Sequence, residues 1–114
     1  MQGSKTIDSP TIDPQLAARY QYYPKKLIDK LLDLFIADIP KTEANITRAF
    51  HERKANLLAK YLHKLQGACP YCGLLRLEKT LIAFQAEIKN HCFLEARLAE
   101  LKSELQQVIQ ARPP

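Results

Sequence analysis

A chain of 114 residues is long enough to bury one hydrophobic core and too short for two, so a single domain is expected. Hydrophobic residues at 46%, charged residues at 25% and only three glycines fit a globular domain that leans helical, and no stretch approaches the roughly 20 uncharged apolar residues needed to cross a bilayer. The +5 formal charge comes from 17 Lys and Arg interleaved with 12 Asp and Glu, without an Arg-rich run, which argues against a nucleic-acid partner and leaves an acidic protein partner open.

Residues 1–11 are polar and aperiodic and read as a disordered lead-in to a domain over residues 12–112. Asp13 and Pro14 are a good N-cap and first helical residue for a short helix toward Tyr20, which the turn before Pro24 stops. From Pro24 onward Ile28, Leu31, Leu32, Phe35, Ile39, Ile46, Ala49 and Phe50 share one stripe, and its phase holds across Pro40. That continuity predicts one long helix kinked at Pro40, where the ring withholds a hydrogen bond from the Ile36 carbonyl. His51 to Lys54 turn the chain. The next helix starts near Ala55 or Asn56, carries Leu58, Leu62, Leu65 and Cys69 on its apolar face, and is expected to end close to Pro70. Another runs from about Gly73 to Asn90 with Leu74, Leu77, Leu81, Phe84 and Ile88, and a last one carries Leu94, Leu98, Leu101, Leu105 and Val108 before Pro113. Four long amphipathic helices on short turns predict an all-α, antiparallel up-and-down four-helix bundle, with the short N-terminal helix as an extra cap.

With Leu58, Leu62, Leu65 and Cys69 as the buried direction, His63 points about 140° away, toward water. Its neighbours a turn before and after are Ala59, Lys60 and Gly67, so two of the residues flanking the imidazole have almost no side chain. Glycine inside a helix costs about 1 kcal/mol relative to alanine, and here it faces away from the core. Clearance for an approaching partner or phosphoryl group explains it; an early helix end is the other reading.

The run His63-Lys64-Leu65-Gln66-Gly67 resembles the H-x-L-x-G signature of histidine phosphotransfer (HPt) domains. The flanking LLDLFIADIP and GACPYCGLLRLEKTL stretches are most similar to the C-terminal HPt domain of hybrid sensor kinases of the BarA/GacS type, over about Asp13 to Gln110. The resemblance implies a phosphorelay carrier without kinase activity of its own. His63 would accept a phosphoryl group from a receiver-domain aspartate and pass it to a second receiver. Histidine suits this role, since a residue type that titrates near about 6.5 is mostly neutral at cytoplasmic pH. No cofactor is implied here, because the magnesium ion belongs to the receiver. The resemblance further implies Lys64 and Lys60 as electrostatic support, and Gln85 on the following helix as the amide that orients the imidazole. Many members carry Lys three residues after the histidine, where this chain has Gln66. The implied setting is a monomer in the cytoplasm, either a free-standing protein or the cytoplasmic C-terminal piece of a larger sensor kinase, with the polar lead-in and the resemblance favouring the piece.

On the following helix Leu75, Ile82 and Ala86 lie opposite the buried stripe, and with Gln66 they form an expected docking surface for the receiver. Cys69-Pro70-Tyr71-Cys72 offers a rival reading, a thiol-disulfide redox module, because this tetrapeptide is identical to the glutaredoxin active site. That site needs a strand before the motif, and helical pattern precedes it instead. An odd count of three cysteines also suits a reducing cytoplasm better than a disulfide framework. A zinc site from Cys69, Cys72, His91 and Cys92 is opposed by geometry, since a helix separates the two pairs by roughly 27 Å, and no metal is expected. His51 and His91 fall near helix ends and read as surface residues.

Overall fold

The stripe that begins at Ile28 winds into a single helix, α1 (Lys25–His51), which passes through Pro40 without ending. Pro40 forfeits one backbone hydrogen bond at a cost of about 3 kcal/mol, yet Ile39 and Ile46 on either side of it are both fully buried. Each such side chain contributes about 1.5–3 kcal/mol, which is enough to hold the helix across the break. The remaining elements in this computed structural model, which describes residues 25–72 and 74–111 (the side chains of residues 25, 71 and 72 excepted), are α2 (Ala55–Cys72), α3 (Leu75–Lys89) and α4 (Glu95–Ala111). Among the described residues there is no strand. The expected helix over residues 13–20 and the lead-in over 1–11 lie outside the described residues.

Each helix packs on its neighbour in sequence, and α1 closes onto α4, giving the four-helix bundle that the stripes predict. Short turns make this antiparallel order possible. After α1, Lys54 N–H donates to the Ala49 carbonyl (3.0 Å) and Arg53 N–H to Phe50 (3.1 Å); after α3, Cys92 N–H donates to Glu87 (2.8 Å) and His91 N–H to Ile88 (2.9 Å). Both are helix ends closed by a left-handed residue, Arg53 at φ 56° and His91 at φ 57°, a position where glycine is usual. Arg53 is held there by stacking over the Phe50 and Phe93 rings at 5.4 and 5.0 Å. Phe50 in turn meets Phe84 and Phe93 edge-on, closing this end of the core.

The second helix ends close to Pro70 as expected, two residues past it at Cys72, because a proline in the last turn deprives only the Gln66 carbonyl, and Leu74 N–H closes the end on the Cys69 carbonyl (3.0 Å). Two expectations need correction. Leu94 is not a core residue: it precedes α4, its carbonyl accepts from Arg97 and Leu98 N–H, and its side chain stays exposed while Phe93 packs on the core. Ile28 is only half-buried, in the first turn of α1.

The seam between α3 and α4 is polar and closely paired. Arg97 donates to both Glu87 oxygens (2.7–3.2 Å) and to Glu100 (2.7 Å), and Thr80 donates to the other Glu100 oxygen (2.9 Å). The hydrogen bond to Glu87 holds the Arg97 guanidinium above the ordinary arginine range. Nearer the other end Arg76 donates to Oε2 of the buried Glu104 (3.0 Å).

Candidate functional site

Along α2 the two faces are sharply divided. Leu58, Leu62, Leu65 and Cys69 are buried, whereas His63, Lys60, Lys64 and Gly67 are exposed and Ala59 is half-buried. His63 has no hydrogen bond or ion pair with any described residue, so its imidazole is held by the helix alone and stands free to react. A Cβ built on Gly67 would meet nothing within 4 Å. The fold itself therefore does not require glycine there, although glycine costs the helix about 1 kcal/mol.

Gln85, half-buried on α3, reaches the same surface. Its Nε2 donates to Gln66 Oε1 (2.6 Å) and to the Leu81 carbonyl (3.2 Å), and it makes no hydrogen bond to His63. The structure thus brings Gln85 against Gln66, three residues past His63, and ties α3 to α2 beside the imidazole. Of the three apolar residues expected to be exposed on α3, Ile82 is 50% exposed and Ala86 is exposed, while Leu75 is half-buried as the first residue of the helix.

A groove of about 370 Å³ opens on the opposite flank, between α1 and α2, lined among others by Leu31, Leu34, Phe35, Asp38, Tyr61 and Lys64. The helical stripe did not reveal it. Leu34, which is 58% exposed, was the available signal: a large apolar residue off the buried face of α1.

The cysteines and the other histidines lie elsewhere. Cys69 is completely buried, with Sγ 3.4 Å from the Leu65 carbonyl, so it packs as a small apolar residue and is closed to thiol exchange. Among the described residues no three His, Cys, Asp or Glu side chains gather where a metal could bind. His51 stands 3.4 Å from Glu95 at the far end of α1. No described helix is long and apolar enough to cross a membrane.

Comparison with known proteins agrees with this geometry. The family model of the Hpt domain matches residues 30–111. Two solved structures share the fold. The HPT domain from the Hpt sensor hybrid histidine kinase from Shewanella superposes with a TM-score of 0.77 at 24% identity, covering 89% of each chain. Histidine-containing phosphotransfer protein B (HptB) from Pseudomonas aeruginosa PAO1 gives 0.75 at 20% identity, covering 92% of this chain and 96% of its own. No curated protein sequence matches the chain. With the family model spanning most of the chain, from within α1 to the end of α4, the chain belongs to the Hpt domain family and is a histidine phosphotransfer domain, a phosphorelay carrier rather than a kinase.

Proposed function

We propose that His63 is the phosphoacceptor. The observation that carries this reading is the conjunction on α2 of an unpartnered, exposed imidazole and a glycine one turn on whose missing Cβ would touch nothing. In the forward step the lone pair of one imidazole nitrogen attacks the phosphorus of a receiver's aspartyl phosphate. The N–P bond forms, the P–O bond to the aspartate breaks, and the carboxylate leaves with the electron pair. The second ring nitrogen keeps its proton, so no general base is required from this chain. Transfer to a second receiver is the reverse reaction. The magnesium ion that screens the phosphoryl oxygens belongs to the receiver, and this domain supplies position, access and charge.

Lys60 and Lys64, each within a turn of His63, offset the phosphoryl charge. Ala59 and Gly67 leave room for the receiver's backbone, and Gln66, Leu75, Ile82 and Ala86 form the surface on which it docks. Gln85 acts on the imidazole's surroundings from α3. We further propose that the domain is a cytoplasmic monomer and most similar in role to the C-terminal HPt domain of BarA/GacS-type hybrid sensor kinases. Incubation with a phosphorylated receiver tests the central claim. Wild type should gain an acid-labile, base-stable label and His63→Gln should gain none; equal labelling of the two would sink the proposal.

A further inference from the structure

Besides the stripe it gives to the core, α1 carries a second apolar stripe on another face. Leu27, Leu31 and Leu34 follow one another at helical spacing, about 100° round the helix from the buried Leu32, Ile39 and Ile46. Leu34 is 58% exposed and Leu27 is 36% exposed. Leu31, Leu34 and Phe35 line the α1–α2 groove from one side, and Tyr61, Leu65 and Ala68 line it from the other. A helix with two apolar faces has two surfaces to cover, and the bundle covers one of them.

We propose that the occupant of this second face is the chain's own segment 12–20, laid antiparallel along α1 as a strap over the groove. The segment lies outside the described residues and is joined through residues 21–24 to Lys25, where α1 starts. Its apolar side chains Ile12, Leu16 and Tyr20 recur every four residues, the pattern of one helical face. Pro24 keeps Tyr23 out of a helix, which sets the reversal of the chain there. With the same rise per residue on both sides of a turn over 21–24, Tyr20 comes level with Leu27, Leu16 with Leu31 and Ile12 with Leu34. Three apolar side chains thus meet the three of the uncovered stripe in order. The direct tether adds to this match, since a segment on a short linker is held at an effective concentration on the order of 1 mM, above that of a free partner or a second copy in dilute solution. With this flank covered, the approach to His63 left open is the α3 side, where Ile82 and Ala86 are exposed.

The test uses the full chain with ¹³C-labelled Leu and Ile methyl groups and Tyr rings. Nuclear Overhauser contacts should link Leu34 to Ile12, Leu31 to Leu16 and Leu27 to Tyr20, persist on dilution, and be missing between differently labelled copies in a mixed sample. Leu16→Asp should remove these contacts, move the Leu31 and Leu34 methyl signals and lower the thermal midpoint. Leu34→Asp should lower the midpoint as well, and the double variant should lower it by less than the sum of the two, because each single change already loosens the same contact. Contacts that arise only between copies overturn the proposal in favour of a dimer. A Leu34 methyl that shows no contact to residues 12–20 and moves only when a phosphorylated receiver is added overturns it in favour of a receiver site. Methyl signals unmoved by Leu16→Asp overturn it outright. None of these readouts involves phosphoryl transfer, so each outcome leaves the assignment of His63 as acceptor standing.

Discussion

The α3–α4 seam and the outward face of α2 treat polar side chains in opposite ways. On the seam, Arg97, Glu87, Glu100, Thr80, Arg76 and Glu104 find partners within the chain. On the face, His63 has none among the described residues, and none of them fills the space at Gly67. The seam sets the register of two helices, and each of its side chains is bonded within the chain, Glu104 Oε1 being the one buried side-chain oxygen among the described residues that is left over. The face has its interactions left open, and that is what a surface requires when its partners come and go.

If this division is right, substitutions on the seam should change stability and leave phosphotransfer alone, and substitutions on the face should do the reverse. Arg76→Ala strands the Glu104 carboxylate, already short of a partner at Oε1, in a buried position. It should lower unfolding free energy by about 2–3 kcal/mol in urea titrations while the initial transfer rate from a receiver holds. Arg97→Ala removes partly exposed ion pairs and should cost about 1 kcal/mol by the same measurement, again without slowing transfer. Gly67→Ala sharpens the contrast, because the two readouts should move in opposite directions. The added methyl meets nothing in the fold, so stability should rise by about 1 kcal/mol, while transfer from the receiver slows; a variant that gains stability and transfers at the wild-type rate would remove the clearance argument. Smallest in stability are Lys60→Ala and Lys64→Ala, which should shift unfolding by less than about 0.5 kcal/mol yet reduce transfer rates, most visibly at low salt.

How much of this was legible in the sequence depended on whether a feature repeats along one helix. The stripes of α1, α3 and α4 and the turning of His63 to water follow from 3.6-residue periodicity alone. Periodicity does not say where a helix begins, so it counts Leu94 with α4 although Leu94 lies one residue before that helix. Pro70 marks the end of α2 to within two residues, since a proline's cost depends on how many hydrogen bonds follow it, and near a helix end few do. The Gln66–Gln85 bond, the α1–α2 groove and the seam join residues 10 to 28 positions apart or on separate helices, and they depend on how neighbouring helices are rotated against each other. A single sequence does not carry that rotation. The sequence places Gln85 near the site, but its bond to Gln66 is a property of the three-dimensional packing.

The most direct test of the account is to locate the phosphoryl group itself. The chain has three histidines, and trypsin places them on separate peptides, with His63 alone on Tyr61-Leu62-His63-Lys64. Mass spectrometry under alkaline conditions, after transfer from a phosphorylated receiver, should find the phosphoryl group on that peptide. Its appearance on the peptide of His51 or His91 instead would contradict the account.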